Sequence, residues 1–238
     1  MTTASPVIDL RRFDGSDALA LALAEAVATD LRHALARAGH ASLAVSGGST
    51  PQRFMQALSR QALEWERVTV TLVDERWVPV SHPRSNAALV RTHLLQHAAA
   101  GARLLPLFSD LPGPGDALPG LEAELAALPL PLDVAVLGMG EDGHTASFFP
   151  GGDALEAALD PGGAAPVLPM HAPAAGEPRI TLTLPVLLAA RHLYLHIEGQ
   201  GKWQVLQQSL SAGPGQPMLP IARVLQSARA PVPTYWCA

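Results

Sequence analysis

A glycine-rich loop around His144 is the segment of this sequence best suited to chemistry. An apolar run over 133–137 predicts a buried strand, and the loop at 137–151 then carries one histidine and two acids among glycines. An imidazole titrates near neutrality, and ligands of α/β proteins bind at the carboxyl ends of strands. His144 is therefore a candidate general base. Asp142 could orient its ring or stabilise the protonated form, although an Asp-Gly pair also simply forms turns.

A second loop, at 46–51, is suited to binding a phosphate. Residues 42–45 predict a strand, and Pro51 suits the first position of a helix, so the loop joins a strand to a helix. Main-chain N–H groups at the glycines and two hydroxyls could then bind an anion. The loop lacks the lysine and the spacing of a nucleoside-triphosphate loop, and an ordinary turn is the alternative interpretation. The candidate phosphate-binding residues are Gly47, Gly48, Ser49 and Thr50.

Three consecutive charged residues, Asp74, Glu75 and Arg76, follow a strand predicted over 68–73. This position would bring a guanidinium and two carboxylates to the same sheet edge as the other loops. A solvated turn with a local ion pair is the alternative. Trp77 favours the functional interpretation, because a large apolar side chain should draw the loop inward. We therefore take Asp74 and Arg76 as candidate substrate-binding residues.

The only lysine of the chain, Lys202, lies at a further strand-to-helix junction, after the sequence Gly-Gln-Gly. A cation in the first turn of a helix opposes the helix dipole, and a bound anion would relieve that conflict. Lys202 is therefore another candidate for phosphate binding. A biased use of arginine, which supplies the other 15 basic residues, is the alternative explanation of a lone lysine.

Most of the other histidines lie in ordinary contexts, at helix positions or beside a strand. His93 and His97 have the i, i+4 spacing of metal ligands, but no acidic residue accompanies them as it does in an HExxH site. No metal site is therefore expected. No serine lies in a GxSxG elbow, so the nucleophile of an α/β-hydrolase is not supported.

The composition fits a globular domain and disfavours several classes of protein. Of 238 residues, 48% are hydrophobic and 16% are charged, and a net charge of −5 argues against a nucleic-acid-binding protein. No run of about 18 apolar residues predicts a membrane span, and no signal peptide is visible. The single cysteine, Cys237, excludes an internal disulfide. A cytoplasmic protein is expected.

Strand and helix patterns alternate along the chain, which predicts an α/β fold with a mainly parallel sheet covered on both faces. Proline- and glycine-rich stretches at Pro106–Gly120 and Pro161–Pro178 are interpreted as surface loops, so a single domain over 1–238 is expected. Further strands are predicted over 7–10, 179–184, 193–197 and 234–237. Helices are predicted from Ser16 as N-cap to a stop at Gly39, after Pro51, from Ser85 or Asn86 to Leu95, over 121–128, and from near Gly201.

Four blocks carry these candidate residues: SGGSTP at 46–51, DERWVPVSHPRSN at 74–86, GMGEDGHTASFFPG at 138–151, and RITLTLP at 179–185 continuing to GQGK at 199–202. In this order, the blocks resemble the 6-phosphogluconolactonase family. The resemblance runs from about 42 to 210. The second and third blocks are long and specific, whereas a glycine pair or a GxGK sequence alone would be weak.

The resemblance implies a three-layer α/β/α fold similar to that of glucosamine-6-phosphate deaminase and ribose-5-phosphate isomerase. It also implies hydrolysis of 6-phospho-D-glucono-1,5-lactone to 6-phospho-D-gluconate, in the oxidative branch of the pentose phosphate pathway, without a metal or organic cofactor. His144 would then be the general base that activates water. Arg76, the loop at 47–50 and Lys202 would hold the phosphate. Further cations near the site would be Arg179 and Arg191.

Two other functions are alternatives to a lactonase. An amino-sugar-phosphate deaminase or isomerase would use Asp74 as a proton shuttle on carbon and would read GHIAFNEP at the histidine loop, where this chain reads GHTASFFPG. A non-catalytic sugar-phosphate-binding protein would keep the phosphate loop and lose the base.

One residue departs from the family pattern in its charge. Glu198 stands where the family usually has threonine and adds a carboxylate near the expected phosphate site. The expected partner is a small sugar-phosphate lactone, bound by a monomer or homodimer.

Overall fold

Strands and helices alternate along most of the chain in the computed structural model, which describes residues 7–211, 213 and 218–238. The strands are β1 (Ile8–Phe13), β2 (Ala41–Val45), β3 (Val68–Leu72), β4 (Asp74–Arg76), β5 (Arg103–Leu104), β6 (Val134–Leu137), β7 (Val167–Met170), β8 (Arg179–Leu182), β9 (His192–Glu198) and β10 (Val232–Cys237). The helices are α1 (Ser16–Ala38), α2 (Gln52–Leu58), α3 (Asn86–His93), α4 (Leu118–Ala126), α5 (Leu155–Ala158), α6 (Leu184–Ala189), α7 (Gln200–Leu210) and α8 (Pro220–Ser227). Short 3-10 helices cover Trp65–Arg67 and His97–Gly101.

Seven strands form one parallel sheet in the order β1-β10-β9-β6-β2-β3-β5. Because neighbouring strands are parallel, the loops after β2, β6 and β9 emerge at the same edge of the sheet. The other three strands form a small antiparallel sheet in the order β4-β8-β7. The predicted α/β fold with a mainly parallel sheet flanked by helices is confirmed. Within the described residues, no helix is both long and apolar enough to cross a membrane.

Helix α1 packs one apolar stripe against the sheet, mainly on β2 and β10. The residues that predicted the helix are all buried: Leu19, Leu23, Val27, Leu31 and Leu35. The helix ends at Gly39, as predicted, where a φ of 73° places the backbone in the left-handed region. The predicted N-cap at Ser16 is wrong, because Gly15 caps the helix. The Ser16 hydroxyl instead donates a hydrogen bond to Glu198 at the end of β9, 2.6 Å away.

The small antiparallel sheet is the part of the fold that the sequence patterns miss. Asp74–Arg76, predicted as a loop, is strand β4, and the predicted surface loop at Pro161–Pro178 contains strand β7. Strands of three and four residues are too short to show a period-2 pattern, and they are held by pairing with β8. Helix α4 begins inside the other predicted loop, and α8 has no predicted counterpart. One domain over 1–238 stays a prediction.

Candidate active site

A cavity of about 240 Å³ lies at the carboxyl ends of β2, β6 and β9. It brings together two loops that follow neighbouring strands, the strands β4 and β8 of the small sheet, and the first turn of α7. Nine predicted site residues line it: Gly47, Gly48, Ser49, Thr50, Asp74, Arg76, His144, Arg179 and Lys202. The tenth, Asp142, contacts His144 from outside the lining.

The glycine loop after β2 and the histidine loop after β6 are hydrogen-bonded to each other. The strands are neighbours in the sheet, so the loops begin side by side. The Ser46 hydroxyl donates to the Val136 carbonyl at 2.9 Å and accepts from the Gly138 N–H at 2.8 Å. Further along the histidine loop, the Thr145 hydroxyl donates to the Gly138 carbonyl at 2.7 Å. The two Ser46 bonds fix the relative position of the loops, and the Thr145 bond holds the histidine loop in its own turn.

His144 and Asp142 form a hydrogen-bonded pair. Nδ1 of the ring lies 2.5 Å from Oδ1 of the carboxylate, which also accepts the His144 main-chain N–H at 3.1 Å. The hydrogen bond from the ring holds the pKa of Asp142 below its usual value. An ionised carboxylate can only accept, so Nδ1 carries the hydrogen and Nε2 keeps its lone pair. This is the tautomer that a general base requires.

The ring of His144 is also held by packing. It stacks on Phe149, with 4.3 Å between the ring centroids. On its other flank the chain has Gly140, where a Cβ atom would lie only 2.2 Å from Cε1 of the ring. A side chain at that position would displace the imidazole, so the glycine is required for the ring to reach the cavity. With 30% of its side chain exposed, His144 remains open to water.

Strand β4 divides its three charged residues between two environments. Successive side chains of a strand point to opposite faces, so Asp74 and Arg76 share a face and line the cavity. Asp74 is buried, accepts a hydrogen bond from the Ser147 hydroxyl at 2.6 Å and lies 3.8 Å from the guanidinium of Arg179. Arg76 donates to the carbonyl of Arg84.

Glu75 points the other way and holds the start of helix α3. It is 0% exposed, and its carboxylate accepts three main-chain N–H groups, from Arg76 at 2.8 Å and from Asn86 and Ala87 at 2.7 Å. The Ser85 hydroxyl adds a fourth contact at 3.2 Å. Burial raises the pKa of Glu75, and the main-chain hydrogen bonds oppose that shift. The alternative of a solvated turn is therefore wrong for this segment.

Arg179, on β8, is a buried cation close to the ring that supports His144. Its guanidinium carbon lies 5.2 Å from the centre of the Phe149 ring on which His144 stacks. It donates to the Ala175 carbonyl at 2.7 Å. Burial lowers the pKa of Arg179, and the carboxylate of Asp74 opposes that shift. The Nε atoms of Arg179 and of Arg76 are buried without a protein partner. Buried donors are usually hydrogen-bonded, so these two are available to bind an anion.

Lys202 lies in the first turn of α7, as predicted, and reaches across to the glycine loop. Its Nζ donates to the Thr50 hydroxyl at 3.0 Å. Burial lowers the pKa of this amine, while the carboxylates of Glu141 and Glu198 oppose the shift. Lys202 therefore contacts the glycine loop, and Arg76 lines the same cavity.

Asn86 and His196 also line the cavity, although neither was among the predicted site residues. Asn86 donates from Nδ2 to the Asp74 carbonyl at 2.8 Å, and its Oδ1 would lie 1.8 Å from a Cβ atom placed on Gly47. Gly47 thus lets the loop approach this amide closely, a role that a motif does not show. His196, on β9, is 2% exposed and also lines the cavity. Its signal in the sequence is weak, since an isolated histidine in an apolar strand has no motif.

A comparison with known families decides which family this arrangement belongs to. The family model described as glucosamine-6-phosphate isomerases/6-phosphogluconolactonase matches residues 14–236. The chain belongs to this family. The predicted recognition is thereby confirmed, and the loops that predicted it all lie within the matched range.

Members of the family with the name 6-phosphogluconolactonase are similar to this chain over most of its length. One from Mesorhizobium japonicum is 51% identical over 92% of this chain and 90% of its own length. One from Pseudomonas aeruginosa is 47% identical over 90% of this chain and 88% of its own. The crystal structure of a 6-phosphogluconolactonase from Shewanella baltica superposes with a TM-score of 0.92 at 38% identity and covers 100% of both chains.

A solved deaminase shares the fold. The structure of a monomeric glucosamine-6-phosphate deaminase superposes with a TM-score of 0.73 over 97% of each chain, at 16% identity. This likeness concerns the fold alone. It agrees with the predicted similarity to the deaminase fold, so the choice between the two activities rests on the residues of the cavity.

One cation that the family resemblance placed near the site lies elsewhere. Arg191 precedes β9, so it lies at the amino end of the sheet, opposite the cavity. There its Nε is 3.6 Å from the carboxylate of Asp133, which also accepts a hydrogen bond from Arg37 at 2.6 Å. The expectation for Arg191 is therefore wrong. His93 and His97 are not in the cavity either, and the described residues contain no cluster of three or more His, Cys, Asp or Glu side chains suited to a metal.

Proposed function

We propose that this protein hydrolyses 6-phospho-D-glucono-1,5-lactone to 6-phospho-D-gluconate. The observation that carries the proposal is one cavity that holds a histidine–carboxylate pair together with Lys202, Arg76 and a hydroxyl-bearing glycine loop. A base and an anion-binding group are what a phosphorylated lactone requires. The relatives named 6-phosphogluconolactonase support the same conclusion. The expectations of a single domain, a cytoplasmic setting and a monomer or homodimer stay predictions.

In the proposed mechanism, His144 activates water. Nε2 removes a proton from a water molecule as its oxygen attacks the carbonyl carbon of the lactone, which gives a tetrahedral intermediate with a negative oxygen. The intermediate collapses by breaking the bond to the ring oxygen, and the imidazolium returns the proton to that oxygen. Asp142 stabilises the imidazolium between the two steps, through the bond that already fixes the ring. A δ-lactone is an activated ester, so no covalent nucleophile is needed.

The cations have separate tasks in this proposal. Lys202 and the loop at Gly47–Thr50 bind the phosphate, with Arg76 as a further contact, and thereby orient the lactone. Arg179, beside the Phe149 ring that supports His144, stabilises the developing negative oxygen. The carboxylate of Asp74 accepts a hydrogen bond from a hydroxyl of the sugar. Its hydrogen bond from Ser147 and its proximity to Arg179 argue against the alternative role of a free proton shuttle on carbon.

A rate measurement with fresh 6-phospho-D-glucono-1,5-lactone tests the function. In a pH-stat or stopped-flow assay at pH 7, we expect turnover above about 1 s⁻¹, as is typical of enzymes. D-glucono-1,5-lactone, which lacks the phosphate, should react with a kcat/KM lower by roughly a hundredfold, because remote binding energy is lost. Glucosamine 6-phosphate should release no ammonia. A rate equal to spontaneous hydrolysis would exclude a lactonase, and release of ammonia would favour the deaminase alternative.

Arg76→Ala tests the phosphate contact. A charge-assisted hydrogen bond is lost and the fold around Glu75 is kept, so KM for the phosphorylated lactone should rise by about tenfold or more with little change in kcat. Arg91→Ala, which removes an exposed arginine of α3, is the matched control. An unchanged KM in Arg76→Ala would show that this guanidinium does not contact the phosphate.

A further inference from the structure

His196 is a buried polar residue of the cavity that the proposed mechanism does not use. Its Nε2 lies 3.0 Å from Oε1 of Glu198, two residues further along β9 and on the same face of the strand. Its Nδ1 is buried and has no protein partner. Buried ring nitrogens are nearly always hydrogen-bonded, so an orphaned one in a cavity wall is expected to have a partner in the bound ligand.

Glu198 fixes which nitrogen of His196 carries a hydrogen. Hydrogen bonds from His196 and from Ser16, the latter at 2.6 Å, hold the pKa of Glu198 below its usual value. An ionised carboxylate can only accept, so the hydrogen of the pair lies on Nε2. Nδ1 is therefore the nitrogen left for a ligand. It accepts when the ring is neutral and donates when the ring is an imidazolium.

The His196–Glu198 pair lies at the end of the cavity where the phosphate is proposed to bind. The ring of His196 meets the ring of Phe54 edge-on, with 6.2 Å between the centroids. Phe54 belongs to α2, the helix that directly follows Thr50 and the glycine loop. The carboxylate of Glu198 is close enough to Lys202 to influence its pKa. The pair is therefore adjacent to the Thr50–Lys202 contact.

Several charged and titratable groups face the His196–Glu198 pair. Lys202 and Arg53 bring positive charge near Glu198, whereas Glu141 faces Lys202 from the histidine loop. Burial raises the pKa values of the groups on β10 that pair in register with His196 and Glu198, so both stay neutral. These groups are Tyr235 and Cys237. Asp30, on α1, accepts a hydrogen bond from the hydroxyl of Tyr194, which lies two residues before His196 on β9.

We propose that His196 is a phosphate-binding residue of this site, and that it takes up a proton when the phosphate binds. A phosphate oxygen can only accept, so it selects the ring with a hydrogen on Nδ1, while Nε2–H continues to donate to Glu198. The proton comes from solvent, and it is released when the product leaves. Glu198 is a positioning residue that holds the ring and stabilises its positive charge. The inference rests on the proposed function for the identity of the ligand.

Proton uptake on binding is the direct test. The heat of binding of 6-phospho-D-gluconate is measured by calorimetry at pH 7.5 in two buffers that differ in ionisation enthalpy. We expect the wild-type protein to take up part of a proton, and both His196→Gln and Glu198→Gln to lose that uptake. His171→Gln is the matched control, because His171 also pairs with a carboxylate, Asp153, but lies outside the cavity. It should behave as the wild type.

Kinetics separate phosphate binding from a general structural role. In His196→Gln, KM for the phosphorylated lactone should rise by about tenfold, as for the loss of one charge-assisted hydrogen bond, with kcat nearly unchanged. The rates with D-glucono-1,5-lactone should not change. Wild-type binding without proton uptake, or an equal loss with both lactones, would overturn the proposal. Failure of the proposed function would appear differently, as a wild-type rate equal to spontaneous hydrolysis.

Discussion

Replacing His144 with alanine should lower kcat for 6-phospho-D-glucono-1,5-lactone by about a thousandfold, the usual contribution of a general base. KM should change little, because Lys202 and Arg76, the proposed phosphate contacts, remain. The ring is bonded to Asp142 and stacked on Phe149, so its loss removes the base without touching the sheet. Initial rates from a pH-stat, corrected for spontaneous hydrolysis, give both constants.

His171→Ala is the control for this experiment. His171 is exposed, is hydrogen-bonded to Asp153 and does not line the cavity, so its loss should leave kcat unchanged. Asp142→Asn should lower kcat by roughly tenfold or more, since the amide cannot stabilise the imidazolium as a carboxylate does. A His144→Ala protein that retained wild-type kcat would exclude this residue as the base.

The pH dependence follows from the same pair. Because the bond from His144 lowers the pKa of Asp142, the carboxylate stays ionised well below neutral pH. Activity lost on mild acidification should therefore not arise from protonation of Asp142. Asp142 also contributes to the free energy of unfolding in a pH-dependent way. This contribution is complete above the pKa that Asp142 has in the unfolded chain, and it is lost as the pH falls through the lower pKa of the folded protein.

Glu75→Ala should destabilise the protein by about 3 kcal/mol, because it leaves buried N–H donors without an acceptor. Asn86 and Ala87 would lose the bonds that hold the start of α3, and β4 would lose its tie to that helix. Asp74 and Arg76, on the same strand, would then lose their places in the cavity. Urea unfolding followed by circular dichroism measures the change in the free energy of unfolding.

Two comparisons sharpen the Glu75 experiment. Glu124→Ala, on the exposed side of α4, should change the free energy of unfolding by less than about 0.5 kcal/mol. Glu75→Gln should lower the free energy of unfolding by less than Glu75→Ala, because its carbonyl still accepts hydrogen bonds.

Burial raises the pKa of Glu75, so the folded protein binds a proton at this carboxylate more tightly than the unfolded chain does. Part of the stability is thus lost as the pH rises between the two pKa values, and Glu75→Gln should remove that slope. Equal stability of wild type and Glu75→Ala would contradict the role in α3.

The sequence was informative where several chemical groups share one short loop. The histidine loop and the glycine loop combine glycines with donors and acceptors, and strand order alone brings them to one edge. It was less informative for Asp74, Glu75 and Arg76. Their separation into cavity and helix-holding roles depends on β4 being a strand, and three residues show no period.

His196 and Arg191 show a different limit, which is long-range geometry. His196 and Glu198 alternate on one strand, a pattern that predicts a shared face but not what lies opposite. The proposed role of the pair depends on two neighbours that the strand pattern does not show. They are Lys202, in the helix after β9, and the glycine loop that Lys202 contacts. Arg191 was expected near the site from the family resemblance, although it precedes β9 and therefore lies at the opposite end of that strand from the cavity.

The uniqueness of Lys202 has a practical consequence. It is the one side-chain amine in the whole sequence, and it lines the cavity. Because burial lowers its pKa, a larger share of it is neutral and nucleophilic near neutral pH than for a surface lysine. An amine-acylating reagent should therefore react with this protein at two places, Lys202 in the cavity and the chain's terminal amine. Lys202 is thus the single side-chain amine available for covalent labelling, and a molecule bound in the cavity should protect it from the reagent.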